Sequence, residues 1–217
     1  MRNLNYLIRS YRTSSKKGLT LPDTLDEIII GCMLGDLTAE KPSANSNTRL
    51  QFKQSLKNQP YIEHLYLLFQ EYCGSKPIKM SSFDQRPSKN KEYHSIKFQT
   101  LSLPIFNKYK DLFYNQEGIK IIPQNIESLL TVKGLAYWLM DDGYNSTTGF
   151  YICTDSYSYD DHQILISVLN TKFKLNCSAH KTTNGYRLYI HSSSKRDFFQ
   201  LVKPYVLSHF DYKFNSK

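Results

Sequence analysis

Acidic residues are scarce in this chain. Nineteen Asp and Glu stand against 28 Lys and Arg in 217 residues, a net charge of +9. A solvated surface is ordinarily mixed in charge, so the deficit points to a polyanionic partner. Long apolar runs are also missing. None approaches the ~18 residues of a spanning helix, which favours nucleic acid over a membrane. The four cysteines (Cys32, Cys73, Cys153, Cys177) have no CxxC or Cys/His ligand spacing. That argues against a disulfide framework or structural zinc and for a reducing compartment. His64, His94, His162, His180, His191 and His209 form no zinc-like cluster and read as surface or strand residues. There is no glycine-rich phosphate loop, so no nucleotide cofactor is implied. The serines show no triad arrangement.

What is present is an apolar stretch ending on a carboxylate, twice. The first reads Ile28-Ile29-Ile30-Gly31-Cys32-Met33-Leu34-Gly35-Asp36 and the second Leu135-Ala136-Tyr137-Trp138-Leu139-Met140-Asp141-Asp142-Gly143. Both read as helices. The first is expected to start after Pro22-Asp23, with Thr24 as N-cap and Glu27 completing a capping box; the second starts at Thr131. Gly31 and Gly35, one turn apart, suit close helix packing. If the helices lie side by side, Asp36 and Asp142 meet at their C-terminal ends, where the helix dipole is also negative. Such a cluster is unfavourable without a divalent cation. In a basic protein this points to metal-dependent cutting of a phosphodiester. Asp142 aligns with Asp36; Asp141 reads as a capping carboxylate or outer partner.

The order of elements after each helix repeats. Strands are expected at Arg49–Gln54 and Phe150–Thr154, then helices at Tyr61–Tyr72 and Asp160–Phe173. Strand pairs follow at Lys76–Phe83 with Tyr93–Thr100, and at Lys174–Thr182 with Tyr186–Ser192. Closing helices span Leu103–Tyr114 and Lys195–Leu207. The spacing between matching positions is 106 residues at the acids (36 to 142), 100 at the first strand (52 to 152) and 92 at the closing helix (106 to 198). The drift falls in loops 37–48 and 84–92, as a duplicated fold accumulates it. The chain divides into a basic arm 1–20, a unit 21–118, a linker 119–130 and a unit 131–217. The arm carries Arg2, Arg9, Arg12, Lys16 and Lys17 and no acid. It reads as a phosphate-touching arm or a solvated terminus, and less well as a targeting signal.

The two acid-tipped helices in a duplicated chain resemble the LAGLIDADG family of homing endonucleases, in its single-chain, two-repeat branch. Lys120-Ile121-Ile122-Pro123, Lys203-Pro204-Tyr205 and Tyr212-Lys213 add to the likeness, which runs from about Leu21 onward. The resemblance implies an α+β fold of two pseudo-symmetric αββαββα units. Their antiparallel sheets would form a DNA-binding saddle around a central two-helix interface. It implies hydrolysis of both strands of double-stranded DNA across the minor groove, leaving short 3′ overhangs at a long, near-asymmetric target. Asp36 and Asp142 would hold Mg²⁺, with Mn²⁺ substituting; oxygen ligands suit both. Lys120 and Lys213, matched in position, would polarise the attacking water or steady developing charge. Gln54 would order active-site water, and Thr154 is a poor copy of it. Tyr137 and Asp141 depart from the family pattern, standing where small residues are usual, so glycine on one helix would make room for bulk on the other.

Alternation places Leu50, Phe52, Ile96, Phe98, Leu188 and Ile190 against the helices. The opposite face then shows Arg49, Gln51, Lys53, Ser95, Lys97, Gln99, Arg187, Tyr189 and His191, with Lys79 and Ser81 on the remaining strand. These residue types bond base edges or phosphates. The alternative reading is an ordinary solvated face. A group I intron RNA maturase is the competing function, alone or in addition, with host intron RNA as partner. A cleavage-dead DNA-binding regulator is a third reading. The intact Asp36, Asp142, Lys120 and Lys213 favour the nuclease. The chain is expected to act as a monomer in an organelle, the mitochondrion before the chloroplast, with no membrane partner.

Overall fold

Two sheets of four antiparallel strands, each wired in the same order, organise the chain in a computed structural model that describes residues 18–86 and 90–214. The arm's residues 1–17 lie outside the described residues. Helix α1 (Asp23–Leu34) comes first. The first sheet contains β1 (Thr38–Glu40), β2 (Arg49–Ser55), β3 (Ile78–Asp84) and β4 (Lys91–Gln99), in the order β1-β2-β4-β3. Helix α2 (Gln59–Phe69) links β2 to β3, and α3 (Asn107–Phe113) follows β4. After the short α4 (Ile126–Leu129), α5 (Val132–Asp142) opens the second round. Its sheet contains β5 (Gly143–Ser146), β6 (Gly149–Ile152), β7 (Cys177–Thr182) and β8 (Gly185–His191), in the order β5-β6-β8-β7. Helices α6 (Tyr159–Thr171), α7 (Ser192–Val202) and α8 (Asp211–Phe214) complete it. No helix among the described residues is long and apolar enough to cross a membrane.

The expected elements are present to within a few residues, and the short β1, β5, α4 and α8 accompany them. Strands β1 and β5 are too short to show an alternation. They exist through pairing: Thr38 opposite Gln51 and Glu40 opposite Arg49, and Tyr144 opposite Tyr151. The Ser/Asn-rich stretch 41–48 is the loop between β1 and β2.

Each sheet buries one face under its helices. Phe52 stacks on Phe98 at 4.6 Å and meets Phe69 of α2 at 5.1 Å. All six residues expected against the helices are buried. In the second sheet Phe150 packs edge-on against Phe198 of α7. Helix α6 starts from a capping box in which Ser158 and Asp161 exchange side-chain bonds. It buries His162, which corrects the surface-or-strand reading of that histidine. His162 Nδ1 lies 2.7 Å from the Ser158 carbonyl, and Nε2 lies 2.8 Å from Thr154 Oγ1. An imidazole with both ring nitrogens engaged leaves no polar atom unsatisfied in the core.

The chain forms two compact units, residues 37–110 with 18–22, and residues 23–36 with 111–214. Helix α1 therefore belongs with α5. Its start differs from expectation. Thr24 lies inside the helix, and Glu27 makes no capping box. The Glu27 carboxylate instead accepts from Thr131 Oγ1 at 3.0 Å and pairs with Lys133 Nζ at 3.4 Å. Thr131 caps α5 as expected, accepting from the Gly134 N–H.

Candidate active site

Helices α1 and α5 meet backbone to backbone. A Cβ built on Gly31 would stand 2.8 Å from the Gly134 Cα, and one on Gly134 would stand 2.9 Å from the Glu27 carbonyl. A Cβ on Gly35 would stand 2.8 Å from the Asp141 Cβ. Glycine on one helix does make room for bulk on the other, at Gly35 and Asp141. Gly31 faces Gly134, a partner that sequence reasoning missed although a glycine near a helix start was there to be seen. Tyr137 is buried close to Cys32.

This contact fixes the two helix ends. Helix α1 stops at Leu34 and Asp36 follows two residues on, exposed, while Asp142 is the last residue of α5. The Asp36 backbone N–H donates to the Asp141 carboxylate, which ties the residue after α1 to the end of α5. Burial, then the charges of Asp36 and Asp142, push the Asp141 carboxyl well above the ordinary carboxylate range. Asp142 is pushed up to about 7, by burial first and then by Asp36. Lys120, Lys213 and the Trp138 indole N–H act the other way. That N–H is buried and has no close, well-aligned acceptor.

Two lysines close the site in matching ways. Lys120 Nζ donates to the Gly35 carbonyl at 2.6 Å, and Lys213 Nζ to the Met140 carbonyl at 2.6 Å and the Asp141 carbonyl at 3.2 Å. Gly35 and Asp141 are equivalent under the repeat, so each cation covers the C-terminal carbonyls of one helix and offsets its dipole. Burial lowers both lysines against the pull of the acids, Lys120 to about 8. Tyr157 adds a bond from its hydroxyl to the Leu34 carbonyl at 3.0 Å.

The donor set fits a hard divalent cation. Asp141 and Asp142 are raised by burial and then by the charge of Asp36, with the lysines supplying partial neutralisation. Among the described residues there is no group of three or more His, Cys, Asp and Glu arranged as a complete cage. Few carboxylates with open positions for water and phosphate oxygens is the pattern Mg²⁺ accepts.

The other expected residues are placed as follows. Gln54 lies in the first unit, its Oε1 accepting from Asn58 Nδ2 at 2.9 Å. Thr154 is fully buried; its hydroxyl bonds His162 and accepts from the Leu188 N–H at 3.1 Å. Its hydroxyl is engaged within the core of the second unit, whereas Gln54 lies opposite Ile96 on β2.

On the first sheet's open face the register pairs Gln51 with Gln99, Lys53 with Lys97 and Ser55 with Ser95. Arg49 shares that face, tied to Glu40 at 2.7 Å. Lys79 and Ser81 do not share it. They lie opposite Ile96 and His94, on the helix-side face, and the open face of β3 shows Ile78 and Met80. A one-residue phase error turns a whole strand over.

On the second sheet's open face Arg187 is held by Asp155 at 2.7 Å, and His191 lies 3.1 Å from Ser178 Oγ. Tyr189 is buried, with its hydroxyl bonded to the Thr148 carbonyl. Tyr144, Tyr151 and His180 join this face and were missed. Tyr151 stands opposite Tyr189, stacks with Tyr144 at 5.3 Å, and its hydroxyl meets His180 Nδ1 at 3.2 Å. Alternation from Ile152 was the available signal.

Residues 26–198 match the model of the LAGLIDADG DNA endonuclease family. The chain belongs to that family. Among LAGLIDADG proteins, the probable intron-encoded endonuclease 1 of Wickerhamomyces canadensis is 32% identical, over 95% of this chain and 89% of that protein. The cytochrome b mRNA maturase bI2 of Debaryomyces hansenii is 30% identical, over 86% of this chain and 72% of that protein. The solved structure of the homing endonuclease I-WcaI bound to its DNA recognition sequence superposes with a TM-score of 0.86 at 32% identity, covering 97% of this chain and 93% of that one. The matched stretch takes in most of α1 and the whole of α5.

Proposed function

We propose that this LAGLIDADG chain is an intron-encoded, site-specific homing endonuclease that hydrolyses both strands of a DNA duplex across the minor groove and leaves short 3′ overhangs. The observation that carries the reading is the pair of helix ends. Asp36 and Asp142, with Asp141 between them, share one charged site, and a lysine backs each end.

Asp36 and Asp142 would hold the divalent ion, Mg²⁺ by the hardness of its oxygen donors, with Mn²⁺ substituting. Such an ion, when bound, neutralises charge at phosphorus and lowers the pKa of an attacking water. Lys120 and Lys213 keep positive charge beside the reacting phosphates, and Gln54 orders water. Asp141 fixes where Asp36 sits by holding its N–H. Trp138, with its indole N–H turned toward Asp142, favours the ionised carboxylate that a cation needs.

The open sheet faces carry recognition. Gln51, Lys53, Ser95, Lys97 and Gln99 contact one stretch of the major groove, and Arg187 and His191 another. The sequence halves 21–118 and 131–217, joined by 119–130, are the repeated units. The protein acts as a monomer in an organelle, the mitochondrion by preference. A second reading, intron RNA maturase in addition to cleavage, draws support from the likeness to the Debaryomyces maturase.

The test is direct. Duplex libraries incubated with the protein and Mg²⁺ should yield double-strand breaks at one selected sequence, and Ca²⁺ should support binding with little cutting. Undiminished cutting by Asp142→Asn would refute the role given to that acid.

A further inference from the structure

Strand β3 is turned over relative to its neighbours. In β2 Leu50 and Phe52, and in β4 Ile96 and Phe98, face the helices, while Gln51, Lys53, Ser95, Lys97 and Gln99 face outward. In β3 the open face carries Ile78, opposite Lys97, and Met80, opposite Ser95, while Lys79 and Ser81 take the helix side. Tyr93, opposite Ser82, extends the row. Ile78, Met80 and Tyr93 are 53%, 39% and 43% exposed. An edge strand ordinarily shows charge to solvent. An apolar strip there is unfavourable in water and marks a contact. It is continuous with Lys53 and Lys97, which share its face.

We propose that the first unit reads thymine in the major groove through the apolar side chains of Ile78 and Met80, which pack on the 5-methyl group. The inference rests on the reading that this face lies in the groove. The lysines of the strip attract phosphates, which selects a duplex over an apolar protein surface. The one apolar group that the major-groove edges of the bases present is the thymine methyl. Shielding a single methyl from water is worth about fourfold in affinity. The second sheet has no counterpart. The open face of its edge strand β7 shows Ser178, His180 and Thr182. Methyl reading is therefore confined to the bases that the first unit touches.

The experiment starts from the sequence that wild-type protein selects and cuts from a random duplex library. That target is remade with deoxyuridine for thymidine, one half at a time, and binding is measured in Ca²⁺. The expected result is about fourfold weaker binding per critical methyl removed from one half, with no change from the other half. Ile78→Ala combined with Met80→Ala should bind the thymidine and deoxyuridine targets alike. Equal wild-type affinity for both targets, or a double variant that keeps the discrimination, would overturn the inference while leaving cleavage intact. So would a double variant whose one change is lost self-association in sedimentation, since the strip would then join copies of the chain. A wild-type protein that binds no duplex would fell the nuclease reading and this inference together.

Discussion

The two open sheet faces have the same strand order and opposite chemistry. The first pairs Lys53 with Lys97 and Gln51 with Gln99, with aliphatic residues at its edge strand. The second is a mat of rings. Tyr189 stacks on His180 at 4.4 Å and meets Tyr151 at 4.7 Å, while Arg187 is neutralised by Asp155. The helix ends, by contrast, repeat almost group for group: one aspartate and one carbonyl-bonded lysine each. A solvent-facing side chain is constrained by little besides its ligand, so the faces diverged after duplication. The helix ends are constrained by backbone contact and by shared charge.

The largest expected effect tests the likeness of the helix ends. Asp36→Asn and Asp142→Asn should each lower the cleavage rate by about a thousandfold or more while duplex binding in Ca²⁺ persists. A mild effect in one alone would break the symmetry. Gly31→Ala should destabilise the fold by about 3 kcal/mol or more in urea melts, because the added methyl has no space at Gly134. Gly35→Ala should cost less, since Asp141 is a side chain that can shift.

The third effect is electrostatic. Asp142 has a folded pKa of about 7, raised above the ordinary 3.8. In the window between those values the folded state holds a proton that the unfolded state has released. Metal-free stability should then fall as pH rises from about 4 to 7, by up to about 1.4 kcal/mol per pH unit. Asp142→Asn should flatten that slope in thermal melts taken in a chelator, and a slope unchanged in the variant would reassign it. The smallest effect separates the faces. Lys53→Ala or Lys97→Ala should lower the salt dependence of binding by about one counterion each. Tyr151→Phe should leave the salt slope alone and change base preference.

Much of this was legible from residue order. Leu50, Phe52, Ile96 and Phe98 sit on strands with one face buried, so alternation carried a clear phase. Strand β3 is exposed along nearly its whole length, which leaves no contrast to set the phase, and Lys79 and Ser81 were assigned to the wrong face. The acids and lysines were legible because they recur at matching places. His162 and Thr154 were not, because a buried polar pair is defined by a partner eight residues away and by the strand that covers both. Gly134 was overlooked because its partner lies on another helix, at a place that the repeat does not match.

The glycine crossing has a consequence for redesign. Where main chains touch directly, the backbones themselves set how far apart the two helix ends lie. Substitutions on strands β2 to β4 or β6 to β8 are therefore expected to leave that separation unchanged. Grafting α1 onto a foreign α5 that lacks Gly134 should shift the helix ends even if every acid is kept.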